Sequence, residues 1–93
     1  MKTTFDVKQD DEQGIIPVIV ENQENKTNIN LCYGWSWDGD ESNKGEKLLS
    51  GFEILDVFQD IGDTKDVLKQ IFPTTYKEVF DGIIEIAERY RLY

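Results

Sequence analysis

The side chains best placed to do chemistry in this chain are carboxylates. Glu53, Asp56, Asp60 and Asp63 stand at i, i+3, i+7 and i+10, and Glu78, Asp81, Glu85 and Glu88 repeat that spacing. On a helix, side chains three and four apart are neighbours, about 5–6 Å apart at Cβ. Each set would then form a row of negative charge on one face. A row at that pitch resembles the spacing of phosphates along a nucleic-acid strand, and its complement is a basic surface. Lys77 and Arg89 lie four residues from Asp81 and Glu85 and partly neutralise the second row, whereas the first has no such partner within it. Residues 38–66 hold nine acids against three bases, so −6 of the net −9 falls in this third of the chain. The first row, with the acidic stretch before it, is therefore the stronger candidate surface. The plain alternative is that the outer face of any amphipathic helix is charged.

The stretch "LCYGWSWDGDESNKGE" (31–46) packs Tyr33, Trp35 and Trp37 into five residues and then turns acidic. Large rings can bury 150–250 Å² each, so Tyr33 and Trp35 are expected in the core. Trp37, at the end of the strand, is the expected contact residue, since tryptophan is enriched among interface hot spots. Asp38, Asp40 and Glu41 extend the candidate surface. A twelve-residue calcium loop starting at Asp38 fails, because Asn43 stands at the glycine position and Leu49 at that of the bidentate glutamate. No metal or cofactor is expected.

Catalysis has few tools here. The chain has no histidine, which removes the commonest general base and metal ligand together. "GWSWDG" and "NKGEKLLSG" match neither the phosphate-binding loop nor the dinucleotide fingerprint. Cys32, the single cysteine, has no identifiable activating base and can form no internal disulfide, which suits a reducing compartment. The chain reads as a non-enzyme. No apolar run reaches membrane-span length, "MKTTFDVKQDDEQG" lacks a signal-peptide core, and "NKT" at Asn25 carries little weight as a glycosylation acceptor without one. A cytoplasmic protein is expected.

The elements that would position these residues follow from periodicity. At 93 residues, with 39% hydrophobic composition and 11 aromatics, the chain reads as a single folded domain, 1–93. Strands are expected at about 3–8, 15–21 and 27–37, with Pro17 indicating an edge or a bulge. The third alternates without a break from Asn28 to Trp37, which places Ile29, Leu31, Tyr33, Trp35 and Trp37 on one face. An acidic loop, 38–46, follows. Helices are expected at about 51–61, 64–72 and 76–91. Ser50 with Glu53 and Thr75 with Glu78 read as capping boxes, Gly62 and Pro73 as stops, and Gly82 as a point of close packing. The expected fold is a two-layer α+β domain, a three-stranded antiparallel sheet covered by three C-terminal helices.

A net charge of −9 repels nucleic acid and anionic lipid and attracts basic surfaces. The reading is a small acidic protein-binding domain, an inhibitor or immunity-type protein that would block a basic, nucleic-acid-acting enzyme such as a nuclease. A phage-borne inhibitor of a host enzyme would share this character. The alternative is an accessory module that self-associates through a sheet edge or the Trp37 region, its charge conferring only solubility. Oligomeric state and partner identity are left open by the residues alone.

Overall fold

The computed structural model describes residues 2–9, 13–36 and 46–92. Five strands, β1 (Thr4–Val7), β2 (Ile15–Glu21), β3 (Lys26–Ser36), β4 (Glu46–Ile54) and β5 (Val57–Gln59), form one antiparallel meander in sequence order. Two helices follow, α1 (Thr64–Ile71) and α2 (Tyr76–Arg89). The α+β class is as expected, but the sheet has five strands rather than three and there are two helices rather than three.

The alternation of β2 and β3 sends Ile16, Val18, Val20, Ile29, Leu31 and Tyr33 to one face. There they meet Phe52 and Ile54 of β4 and, from the helix layer, Leu68, Phe72, Val79, Ile83, Ile86 and Ala87. Both helices present their apolar stripe to this face, which accounts for the three-four spacing of those residues. Gly82 marks the close approach expected of it, because a Cβ there would lie 2.1 Å from the ring of Phe5 on β1.

Pro17 does not sit on an edge strand, since β2 lies between β1 and β3. It marks instead the point where β1 stops. Val7 pairs with Val18, and the next residue, Lys8, donates its N–H to the Pro17 carbonyl at 2.9 Å. In an antiparallel ladder a residue's N–H and C=O point to the same neighbour, so the donor that proline lacks is missing only at the end of the β1 ladder.

The expected helix 51–61 is a β-hairpin. Cys32 pairs with Gly51 and Tyr33 with Leu49, leaving Ser50 as a bulge whose hydroxyl donates to the Cys32 carbonyl at 3.0 Å. The bulge separates two core-facing residues, Leu49 and Phe52, by three positions instead of two, which mimics helical spacing. Ser50 is thus a strand residue and not a helix cap. The turn that follows is Leu55–Asp56, closed by the Ile54–Val57 pair, with φ of 52° and 64°. That is the two-residue primed turn that matches sheet twist, here without the glycine or asparagine that usually announces it. Gly51 is required where it stands, because a Cβ there would lie 2.5 Å from the Gln59 carbonyl oxygen and 2.6 Å from the Phe58 ring.

The helix layer is closed by two polar devices. Thr75 makes no side-chain cap to its own helix. Its hydroxyl donates to Glu24 at 2.7 Å and accepts from the Asn22 amide at 2.8 Å. At the far end Arg91, at φ 58°, lets the N–H of Leu92 reach the Ala87 carbonyl at 2.7 Å and its own N–H reach Glu88 at 3.0 Å. This is a Schellman ending with arginine at the left-handed position. It buries Leu92, whose carbonyl accepts from the Leu49 N–H and ties the C-terminal segment to β4.

Candidate functional site

The hairpin redistributes the first acidic row. Glu53 lies on β4, on the sheet face away from the helices. Asp56 is at the hairpin tip, Asp60 just beyond β5, and Asp63 at the N-cap of α1. They share no helix face, so the proposed phosphate-like row is absent there. What 55–63 forms instead is an exposed rim along the β5 edge of the sheet. Leu55 is 68% exposed, Val57 51% and Phe58 55%, and Asp56, Asp60 and Asp63 are exposed among them. The apolar residues of the lost helix are split accordingly: Phe52 is fully buried, while Leu55 and Phe58 face solvent.

The second row does exist. Glu78, Asp81, Glu85 and Glu88 are all exposed on the outer surface of α2. Arg89 approaches Glu85 at 3.9 Å, with both side chains largely in water, a geometry worth at most about 0.5 kcal/mol. On α1, the Lys65 ammonium lies 5.0 Å from the Phe80 ring centre and that of Lys69 5.5 Å from Tyr76. These lysines thus lie over aromatic rings of α2.

Trp37, Asp38, Asp40 and Glu41 lie outside the described residues. Tyr33 is core as expected, but Trp35 is 70% exposed. It follows the alternation of the buried face yet stands past the end of the helix cover. The Lys47 ammonium sits 5.0 Å from the Tyr33 ring centre and 5.8 Å from that of Trp35. An exposed tryptophan close to the Trp37 position adds a large ring to the accessible surface.

The strain in the hairpin is local and substantial. A non-glycine residue in the left-handed region costs roughly 1–2 kcal/mol, and here two consecutive residues, one of them leucine, adopt it. Among the described residues Leu55 makes no burial that would offset this. Outliers of that kind gather at functional segments.

Outside the β2–β3 turn, Cys32 is a titratable group with a shifted pKa. Burial, and then the Glu53 carboxylate, raise the pKa of Cys32, which keeps the thiol protonated and unreactive. Among the described residues no three of Cys, Asp and Glu converge as a metal ion would require. No helix among the described residues is long and apolar enough to cross a membrane.

Fold and site together define a two-layer α+β domain with one sheet face covered by helices, one face open among the described residues, and an apolar-acidic rim at the β5 edge. Comparison with protein-family models, curated proteins and solved structures finds no match to this chain.

Proposed function

We propose that this chain is a small acidic protein-binding domain that docks on a basic enzyme acting on nucleic acid and blocks it. The observation that carries the reading is the rim at 55–63, where three exposed apolar side chains stand among three exposed carboxylates. Apolar anchors ringed by polar groups are the usual anatomy of an interface hot spot. The net charge of −9 and the acidic row on α2 would speed encounter with a basic surface and discriminate against acidic partners. A groove evolved to hold phosphates supplies both that charge and an inhibitable function.

The test is affinity capture from cells of the source organism and its competitors at low salt, elution with salt, and identification of what elutes. The eluted enzyme is then purified and assayed on its nucleic-acid substrate with increasing amounts of this chain. The expected result is one basic enzyme that elutes with salt and loses activity in proportion to the chain added. Reversing Asp56 and Asp60 to lysine is expected to abolish both capture and inhibition. Capture of nothing but the bait, or of an enzyme whose activity is unchanged, would overturn the reading.

A further inference from the structure

The open face of the sheet carries one cross-strand row that reads Lys8, Pro17, Asn30, Glu53, Phe58. The pairings Pro17–Asn30, Asn30–Glu53 and Glu53–Phe58 fix the row, and the bond from the Lys8 N–H to the Pro17 carbonyl sets its first member. Lys8 shares the open face with Asp6, which its ammonium meets at 3.2 Å, because Phe5 and Val7 alternate to the core side. The basic end of the row is thus at β1 and the acidic end at β4.

Relief follows the same order. On β2, Ile15, Pro17 and Ile19 form an apolar ridge that is half-buried with no element above it among the described residues. On β3, the residues facing them are small or amide: Cys32 opposite Ile15, Asn30 opposite Pro17 and Asn28 opposite Ile19. Beyond them Gly34 leaves its space empty, since a Cβ there would touch nothing within 4 Å. A ridge therefore lies beside a trough, and a shallow depression of about 510 Å³ opens at its end. The charges around that depression, Lys8 and Lys26 against Glu53 and Asp56, cancel two for two. All of the net −9 then lies elsewhere on the chain. Asp6 and Glu21 stand on the same face, which therefore carries two bases against four acids, far less than the charge excess of the whole chain.

The geometry points to a second copy of this chain as the occupant. Aligned sheets pack face to face about 10 Å apart, and a two-fold axis can run between them along the strands. Placed midway between β2 and β3, it sets the β2 ridge of each copy into the β3 trough of the other. The same operation puts Lys8 of each copy over Glu53 of the other, so the self-complementarity that an isologous interface demands is met in shape and in charge. The inference does not rest on the binding function proposed above, because β5 and the α2 row lie outside the overlapping strands and only the Leu55–Asp56 tip of the rim borders the depression.

The test is the mass in solution by sedimentation equilibrium or light scattering, with circular dichroism to verify the fold of each variant. The wild type is expected at twice the 10.8 kDa chain mass. Lys8→Glu sets carboxylate against carboxylate and should weaken the dimer at least about tenfold, as like charges juxtaposed across an interface do. Ile19→Lys, which drives an ammonium into the trough, should also dissociate it. The double exchange Lys8→Glu with Glu53→Lys should restore the dimer. A wild type that stays monomeric up to about 100 μM, where a micromolar dimer is nearly all assembled, would overturn the inference. So would a dimer indifferent to Lys8→Glu, or one lost in the double exchange while the fold is intact. Partner capture by the monomeric Lys8→Glu variant separates the two proposals, since it should persist if the rim binds and the open face dimerises.

Discussion

Two hairpin turns of the same sheet make opposite use of their residues. The β2–β3 turn, 22–25, is Asn-Gln-Glu-Asn, and its polar groups are engaged inside the molecule. The Asn22 carboxamide oxygen accepts from the N–H groups of Glu24 at 2.8 Å and Asn25 at 3.3 Å, shaping the turn. Glu24 accepts from the backbone and hydroxyl groups of Thr74 and Thr75. The Asn25 amide donates to the Ile71 carbonyl at 2.8 Å, at the end of α1. This turn clamps the connection between the two helices. The β4–β5 turn, Leu55–Asp56, is strained, apolar at its first position and exposed, and among the described residues its side chains bond to no other element. Internal stability explains the first sequence and not the second. A turn that costs stability and exposes leucine is best accounted for by a contact outside the chain.

That contrast can be sharpened by exchanging turn chemistry. Replacing Leu55–Asp56 by Asn–Gly keeps the primed geometry and removes both penalties of the left-handed backbone. The chain should become more stable by about 2 kcal/mol, read from denaturant unfolding. The reverse experiment belongs to the other turn. Asn25→Ala leaves the Ile71 carbonyl without its donor and should destabilise by about 1.5 kcal/mol, and an unchanged midpoint would show the clamp to be ornamental. Smaller still is the pH effect at Glu24. Hydrogen bonds, led by that from the Thr74 hydroxyl, lower its pKa in the fold. A carboxyl lowered on folding contributes stability that is complete above its unfolded pKa, about 4.3 for glutamate, and is lost as pH falls through the folded value. The difference in thermal midpoint between wild type and Glu24→Gln should therefore be largest near neutrality and shrink below about pH 4. A difference that grows on acidification would contradict the clamp.

Much of this fold was legible where a single period ran unbroken. β2 stands at the expected residues 15–21, β3 is one residue displaced from 27–37 at its start, and α1 and α2 begin at the expected Thr64 and Tyr76. Legibility failed at 46–59 for two physical reasons. The Ser50 bulge stretched the spacing of Leu49 and Phe52 from two to three, and the Leu55–Asp56 turn carried no glycine. Together these made two strands look like one amphipathic helix, and four carboxylates like a row. Gly51 and the run of Phe52, Ile54, Val57 and Phe58 were the available signals, since glycine within a β-branched and aromatic segment marks close backbone approach more often than a helix start. The clamp was hidden for a different reason. Thr75 and Glu78 satisfy a local capping pattern, and nothing local reveals that Thr75 is taken by a glutamate 51 residues away. Trp35 misled because alternation sets the face of a strand but not how far the helix layer extends over it.

The central claim is that the strained β4–β5 rim exists to hold a partner. Its most direct test is the affinity of the captured basic enzyme for the wild-type chain and for the Leu55→Asn, Asp56→Gly variant, measured side by side by isothermal calorimetry. The account predicts that the more stable variant binds at least about tenfold more weakly, as loss of an interface anchor would require. Equal affinity in a demonstrably stabilised variant would contradict it, and the rim would then be a turn without an outside purpose.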